Sequence, residues 1–235
     1  MAAGQSRGGA DVAPRLTAGA APAAASAIEP RLRAIPRPAP LLARARERSL
    51  TARQRELLDQ LGALFDGGFA DLTMAGLASH LNCSLRTLYE LAPSRDELVL
   101  VVVDRNLWHV GCTAATAIEP AMAPLDALRA YLRAATEAVA GTTQAFARDL
   151  AAVPAAQRLN DEHSAYLIAV ARTLLDLAVE RGDIEPMDTA AFARVMAGLG
   201  RDFSKPEVLA TLQSSPKDAA DAVVDVLLAG LRVNR

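Results

Sequence analysis

The 235-residue chain is predicted to be all-α, with an N-terminal three-helix helix-turn-helix domain joined by a long helix to a second, all-helical domain. Three observations carry that expectation. Hydrophobic residues make up 51% of the chain but aromatics only 4%, and the hydrophobic share rests on alanine, which favours helices over sheet. Apolar residues recur at helical spacing between recognisable cap signals over most of the length. Finally, residues 73–91, TMAGLASHLNCSLRTLYEL, read as two short helices meeting at a tight turn.

Within that stretch Met74, Leu77, Ala78 and Leu81 form one apolar stripe, and Ala78 is small where two helices must cross closely. Asn82 sits where the turn needs a left-handed backbone, which Asn tolerates next best after Gly. Ser84 caps the second helix, turning Leu88 and Leu91 inward and leaving Leu85, Arg86, Thr87, Tyr89 and Glu90 for whatever the helix faces.

The flanks follow the same logic. Residues 1–48 are rich in Ala, Pro, Gly and Arg, lack a sustained period, and are expected to be a disordered arm, with Leu41 to Arg48 able to form a helical extension. Thr51-Ala-Arg-Gln54 is a capping box opening a helix whose inner face is Leu57, Leu58, Leu61, Leu64 and Phe65. Gly67-Gly68 ends it, Phe69 packs back beneath, and Thr73 caps the next helix. Pro93 stops the helix after Ser84, because the residue before proline avoids the helical region. Ser94-Arg95-Asp96-Glu97 opens a fourth helix, and that box outweighs the β-branched look of Leu98–Val103. It should run to about Ile118. Beyond it come helices carrying Leu125, Leu128 and Leu132; Phe146 and Leu150; Tyr166 to Ala178, stopping at Gly182; Phe192 to Leu199, capped by Asp188; and Val223 to Leu231.

Charge is uneven. Residues 1–58 hold ten arginines against four acids, a balance of +6, so the remaining chain sums to −8. A basic front on an acidic body suits a polyanion partner for the front end; a solvated tail is the alternative reading. Cys83 and Cys112 offer no disulfide framework, and no apolar run is read as approaching a membrane span, so the chain is expected in the cytoplasm. The two His-x-x-Cys sequences at His80 and His109 invite a zinc site, but the second lies about 22 Å along the fourth helix at 1.5 Å per residue. Cys83 is expected to fill a buried apolar slot. No metal or cofactor is expected. Asp161-Glu162-His163 reads as polar residues near a helix start, and no nucleophile elbow or phosphate loop accompanies them, so no enzyme is expected.

Residues 51–105 resemble the DNA-binding domain of the TetR family of bacterial transcriptional regulators. The resemblance rests on the helix ending in Gly68-Phe69, on Leu72-Thr73-Met74, Leu77-Ala78, Ser84 and Thr87-Leu88-Tyr89, and on Pro93-Ser94-Arg95-Asp96-Glu97-Leu98. It departs from the usual pattern at Asn82 (for Gly), at Leu91-Ala92 (for an aromatic pair) and at Gly76 inside a helix, which costs roughly 1 kcal/mol relative to Ala. The segments implied are the arm, 1–48; the helix-turn-helix domain, 49–97, with its motif at 73–92; and a ligand-binding and dimerisation domain, 98–235.

The resemblance also implies roles. Thr73, Ser84, Tyr89 and Arg95 match phosphate-contacting positions, which position a protein without specifying sequence. Leu85, Arg86 and Thr87 match base-reading positions; an arginine can pair bidentately with guanine and a threonine methyl can meet thymine. Arg44, Arg46 and Arg48 are assigned to an arm that tracks phosphates or enters the minor groove. For Tyr89 a ring packed in the core is the competing assignment. An effector pocket is expected around Val103, Leu107, Trp108, Tyr131, Phe146, Tyr166, Val170 and Met196, and mainly apolar. The dimer interface is placed on the last two helices, at Phe192, Val195, Leu199, Ala222, Val223, Val226, Leu227 and Gly230. The expected function is that of a homodimeric repressor released from a near-palindromic double-stranded operator by a small molecule. The alternative is a constitutive DNA-binding dimer without an effector, its second domain serving dimerisation or a protein partner.

Overall fold

Cap chemistry visible in the sequence sets most of the helix boundaries. A computed structural model describes residues 28–141, 143–203 and 205–232. Among these residues the helices are α1 (28–33), α2 (Arg44–Ser49), α3 (Ala52–Asp66), α4 (Met74–His80), α5 (Leu85–Leu91), α6 (Arg95–Thr116) and α7 (Pro124–Ala138). They continue with α8 (Gln144–Ala152), α9 (Pro154–Glu180), α10 (Thr189–Phe203), α11 (Pro206–Leu209) and α12 (Pro216–Leu231). No sheet forms among the described residues, so the all-α expectation holds. The Thr51 hydroxyl and the Gln54 side chain satisfy each other's backbone amides, closing the capping box at α3. Thr73, Ser84 and Ser94 each accept the N3 amide of α4, α5 and α6. Asn82 takes φ +48, the left-handed turn residue of the helix-turn-helix.

Two hydrophobic cores share one helix. The first gathers Leu57, Leu61, Phe65, Phe69, Leu77 and Leu88 with Leu98, Val99, Val102 and Val103 of α6. The second gathers Leu128, Tyr131, Leu174, Leu175, Met196 and Leu228 with Ala114 farther along the same helix. A boundary at residue 97 therefore separates chain segments but not cores: α6 is a rod fixed in both. Its 22 residues are also long and apolar enough, by length and composition, to cross a membrane, contrary to the expectation that none is. Here its valines and leucines are instead divided between two protein cores.

The sequence expectation differs from the structure at several further points. Residues 1–27 of the expected disordered arm lie outside the described residues, but 28–50 run as a strap along the body. Ile28, Leu32 and Ile35 pack on the second core, and Leu42 and Leu50 on the first, which supplies the apolar burial that composition alone hides. Arg31 pairs with Glu180 at 2.6 Å, and Leu41 N–H donates to Asp104 at 2.9 Å. Cys83 is only partly buried. Asp161–His163 lie two turns inside α9 rather than at a helix start. In α12 the inward set is Ala220, Val224 and Leu228, while Val226, expected to share a stripe with Val223 and Leu227, is 72% exposed.

Candidate nucleic-acid interface and the cleft behind it

The α5 helix stands over the first core on Leu88 and Leu91, both buried, and that packing fixes what its other face shows. Leu85 is 44% exposed, the Arg86 side chain 89%, and Tyr89 52%, so the tyrosine ring is not packed in the core. Arg86 Nε lies 3.2 Å from Glu90 Oε1. An exposed pair at this spacing is worth about 0.5 kcal/mol, against about 1–3 kcal/mol for a bidentate guanine contact. The pair therefore does not hold Arg86 back from a base. The Thr87 and Ser84 hydroxyls are 2.8 Å apart, and the Ser84 oxygen also accepts the Thr87 amide, so both are partly occupied in capping. Thr73 likewise caps α4 through Gly76 N–H. A Cβ at position 76 would sit 3.3 Å from the Thr73 hydroxyl, so glycine leaves that cap unobstructed.

Arg95 is committed elsewhere. Its Nε donates to Leu72 O at 2.6 Å, its Nη2 to Phe69 O and Ala70 O at 2.5 and 2.9 Å, and its Nη1 to Asp96 at 2.9 Å. Four of a guanidinium's five N–H donors are thus spent inside the protein, which turns the phosphate assignment of Arg95 into one of holding the 69–72 turn. Among the arm arginines, Arg46 donates to Glu90 O at 2.5 Å, which seats α2 beside the C-terminal end of α5. Arg48 is exposed, and Arg44 lies at the start of α2.

The opposite side of that turn is held by the second domain. Asp149 of α8, almost fully buried, accepts Phe69 N–H at 2.6 Å and Ala70 N–H at 2.8 Å. Burial raises the Asp149 pKa, but the two amides and Arg148 together outweigh it and hold the carboxyl below its ordinary 3.8. Gly68 beside it has φ +102, and a Cβ there would lie 3.0 Å from Asp149 Oδ2. Phe146 of α8 packs edge-on against Phe69 with centroids 5.8 Å apart, and the Thr143 hydroxyl donates to Asp66 O.

Behind these contacts lies an open cleft of about 1900 Å³ lined by α6 to α10 and also by residues of the strap, α3 and α12. Seven of the eight residues assigned to a pocket line it: Val103, Leu107 and Trp108 on α6, Tyr131 on α7, Phe146 on α8, Tyr166 on α9 and Met196 on α10. Val170 does not; it is buried in the second core, on the inward face of α9. Asp104 and His163, neither of them assigned to a pocket from the sequence, join the wall. Asp104, almost fully buried, accepts Leu41 N–H through Oδ2 and His163 Nε2 through Oδ1 at 3.2 Å. Trp108 meets the His163 ring at right angles, 5.6 Å between centroids. Asp104 had a weak signal, as the residue that ends the apolar run Leu98–Val103; Asp149, three residues after Phe146 on a helix of mixed character, had almost none.

On the outer faces of α10 and α12, Val195, Ala222, Val226 and Gly230 are exposed and Val223 is half-buried. Phe192, Leu199 and Leu227 are half-buried and pack against the chain's own second core. Among the described residues, no three His, Cys, Asp or Glu side chains converge as a metal site.

No family model matches the chain, and no curated protein does. Solved structures do. A TetR family transcriptional regulator, PfmR from Thermus thermophilus, is 21% identical with a TM-score of 0.56, over 75% of this chain and 99% of its own. A regulatory protein of the tetR family from Rhodococcus RHA1 is 18% identical with a TM-score of 0.61, over 79% of this chain and 100% of its own. The ketosteroid transcriptional regulator KstR2 of Mycobacterium tuberculosis is 19% identical with a TM-score of 0.54, over 79% and 98%. The chain thus has the fold of these regulators, reader domain and helical body together.

Proposed function

We propose that the protein is a DNA-binding transcriptional regulator of the TetR type, acting as a homodimeric repressor that a small, mainly apolar effector releases from its operator. The observation that carries this reading is the uncovered face of α5: Leu85, Arg86 and Tyr89 stand in solvent on a capped helix whose other face is locked into a core. A helix so mounted fits the major groove, with Arg86 and Thr87 reading bases and Thr73, Ser84 and Tyr89 meeting phosphates. The exposed small and β-branched residues on α10 and α12 suit a two-fold helix–helix interface.

Response to an effector rests on shared elements. Trp108 lines the cleft while Val99, Val102 and Val103 of the same helix lie in the reader's core. Phe146 lines the cleft and packs on Phe69. A ligand that repositions either one alters the seating of α4 and α5. Release needs only preferential binding to the non-DNA form; ~100-fold preference corresponds to about 2.7 kcal/mol. The cleft favours this reading over a constitutive DNA-binding dimer, for which a solid second domain would suffice.

The test is footprinting of the promoter region beside its own gene. Arg86→Ala is expected to weaken protection about 10- to 100-fold. The Arg86→Ala, Thr87→Ala double variant should lose the footprint with little change in melting temperature. If the double variant protects the same bases, α5 does not read them.

A further inference from the structure

The cleft wall contains two hydrogen-bond donors that nothing among the described residues uses. Tyr131 is fully buried and its hydroxyl has no partner; Trp108 Nε1 is likewise shielded and unpaired. Native proteins seldom strand buried donors, because each forfeits its hydration without compensation. The two belong to one level of the molecule. Trp108 lies eight residues before the end of α6, and Tyr131 seven after the start of α7, with a short turn between the helices. At 1.5 Å per residue, each is roughly 10–12 Å from that turn. From α9, His163 faces Trp108 ring to ring, and Tyr166 is close enough to Tyr131 to act on it electrostatically. Leu107, Phe146 and Met196 add apolar wall to the same cleft.

We infer that Tyr131 and Trp108 are the polar anchors of a binding site for a neutral, largely apolar molecule bearing a carbonyl-type oxygen. Resting on the effector reading above, this names the class of effector. Both anchors have a proton to donate: the indole N–H cannot accept at all, and burial keeps the Tyr131 phenol protonated, its oxygen still able to accept. They call for an acceptor. The acceptor is neutral because Asp104, one helical turn before Trp108, keeps a buried carboxylate beside the site. Its oxygens accept from Leu41 N–H and pair with His163, and they disfavour an anionic head group placed next to them.

Trp108 is the only tryptophan, so its emission reports the site directly. The full chain is titrated with octan-2-one, octane and octanoate while Trp108 fluorescence is followed, and DNA retention is measured in parallel. Octan-2-one is expected to change the emission saturably and to bind at least tenfold tighter than octanoate. Tyr131→Phe should weaken octan-2-one three- to tenfold while leaving octane unchanged, and should melt no lower than the parent, since it removes only an unpaired hydroxyl. The assignment is overturned if none of the three alters the emission, if octane matches the ketone, if octanoate binds tighter, or if Tyr131→Phe is without effect on the ketone or lowers the melting temperature. Ketone binding with these ratios but no loss of DNA retention keeps the site and removes the effector reading. Ketone-driven DNA release that is undiminished in Tyr131→Phe keeps the effector reading and removes the site.

Discussion

Two buried carboxylates, Asp149 and Asp104, join the reader domain to the rest of the molecule, and they do it differently. Asp149 is saturated by the amides of Phe69 and Ala70 and by Arg148, on a turn whose carbonyls are gathered by Arg95 from the other side. Backbone and carboxylate there form a rivet, both amides held by the one oxygen Oδ2. Asp104 divides its oxygens between the amide of Leu41 in the strap and His163, a ring that also meets Trp108 edge-on in the cleft. One junction fixes the reader's geometry; the other is open to whatever enters the cleft. The proposed function calls for both kinds of contact, because a swing of the helix-turn-helix domain is useful only if that domain itself stays rigid.

The comparison breaks most visibly at Asp149. Asp149→Ala strands one buried and one partly buried amide, an expected loss of about 2–4 kcal/mol. For a chain of this size that lowers the melting temperature by about 5–12 °C. Asp104→Ala leaves the Leu41 amide and the His163 ring nitrogen without their partner, and since both contacts are only partly buried it should cost less, about 1–2 kcal/mol. Thermal melts of the two variants side by side decide it, and a larger loss at Asp104 would reverse the roles assigned to the two junctions.

Arg95 sharpens the same contrast, with a somewhat smaller effect. Arg95→Ala is expected to destabilise by about 2 kcal/mol through three abandoned carbonyls, and Arg95→Lys to recover little, since a single ammonium cannot reach all three. The salt dependence of DNA binding, normalised to folded protein, should keep its slope. A slope reduced by about one would restore Arg95 as a phosphate contact.

What the sequence disclosed and what it concealed divide along the range of the interaction. Thr51 with Gln54, Thr73, Ser84, Ser94 and Asn82 each announce a structure completed within three or four residues, and each is found where local chemistry puts it. The α5 face was legible for the same reason. Asp149 meets Phe69 across 80 residues and Arg95 meets Leu72 across 23, and neither pairing leaves a local trace. Periodicity failed where apolar residues surround a helix: VVDVLL in α12 offers more than one inward stripe, and burial of Val224 and Leu228 leaves Val226 outside. The strap was misread because its apolar contacts, Ile28, Leu32, Ile35 and Leu42, are spread among prolines and arginines and divided between two cores.

The subtlest difference between the junctions is their response to acid. The Asp149 carboxyl is held below its ordinary 3.8 by the amides it accepts, despite burial, so the folded protein binds that proton less readily than the unfolded chain. The stabilisation is therefore complete above the ordinary value and is lost as pH falls through the lowered one. Between about pH 5 and pH 3 the parent should lose melting temperature faster than Asp149→Asn, whose amide cannot take up the proton and which starts from a lower melting temperature at neutral pH. Melts of both proteins across that window should converge as the pH drops. Parallel curves would mean that Asp149 has the same proton affinity folded and unfolded, and that the rivet holds by shape and neutral hydrogen bonds rather than by charge.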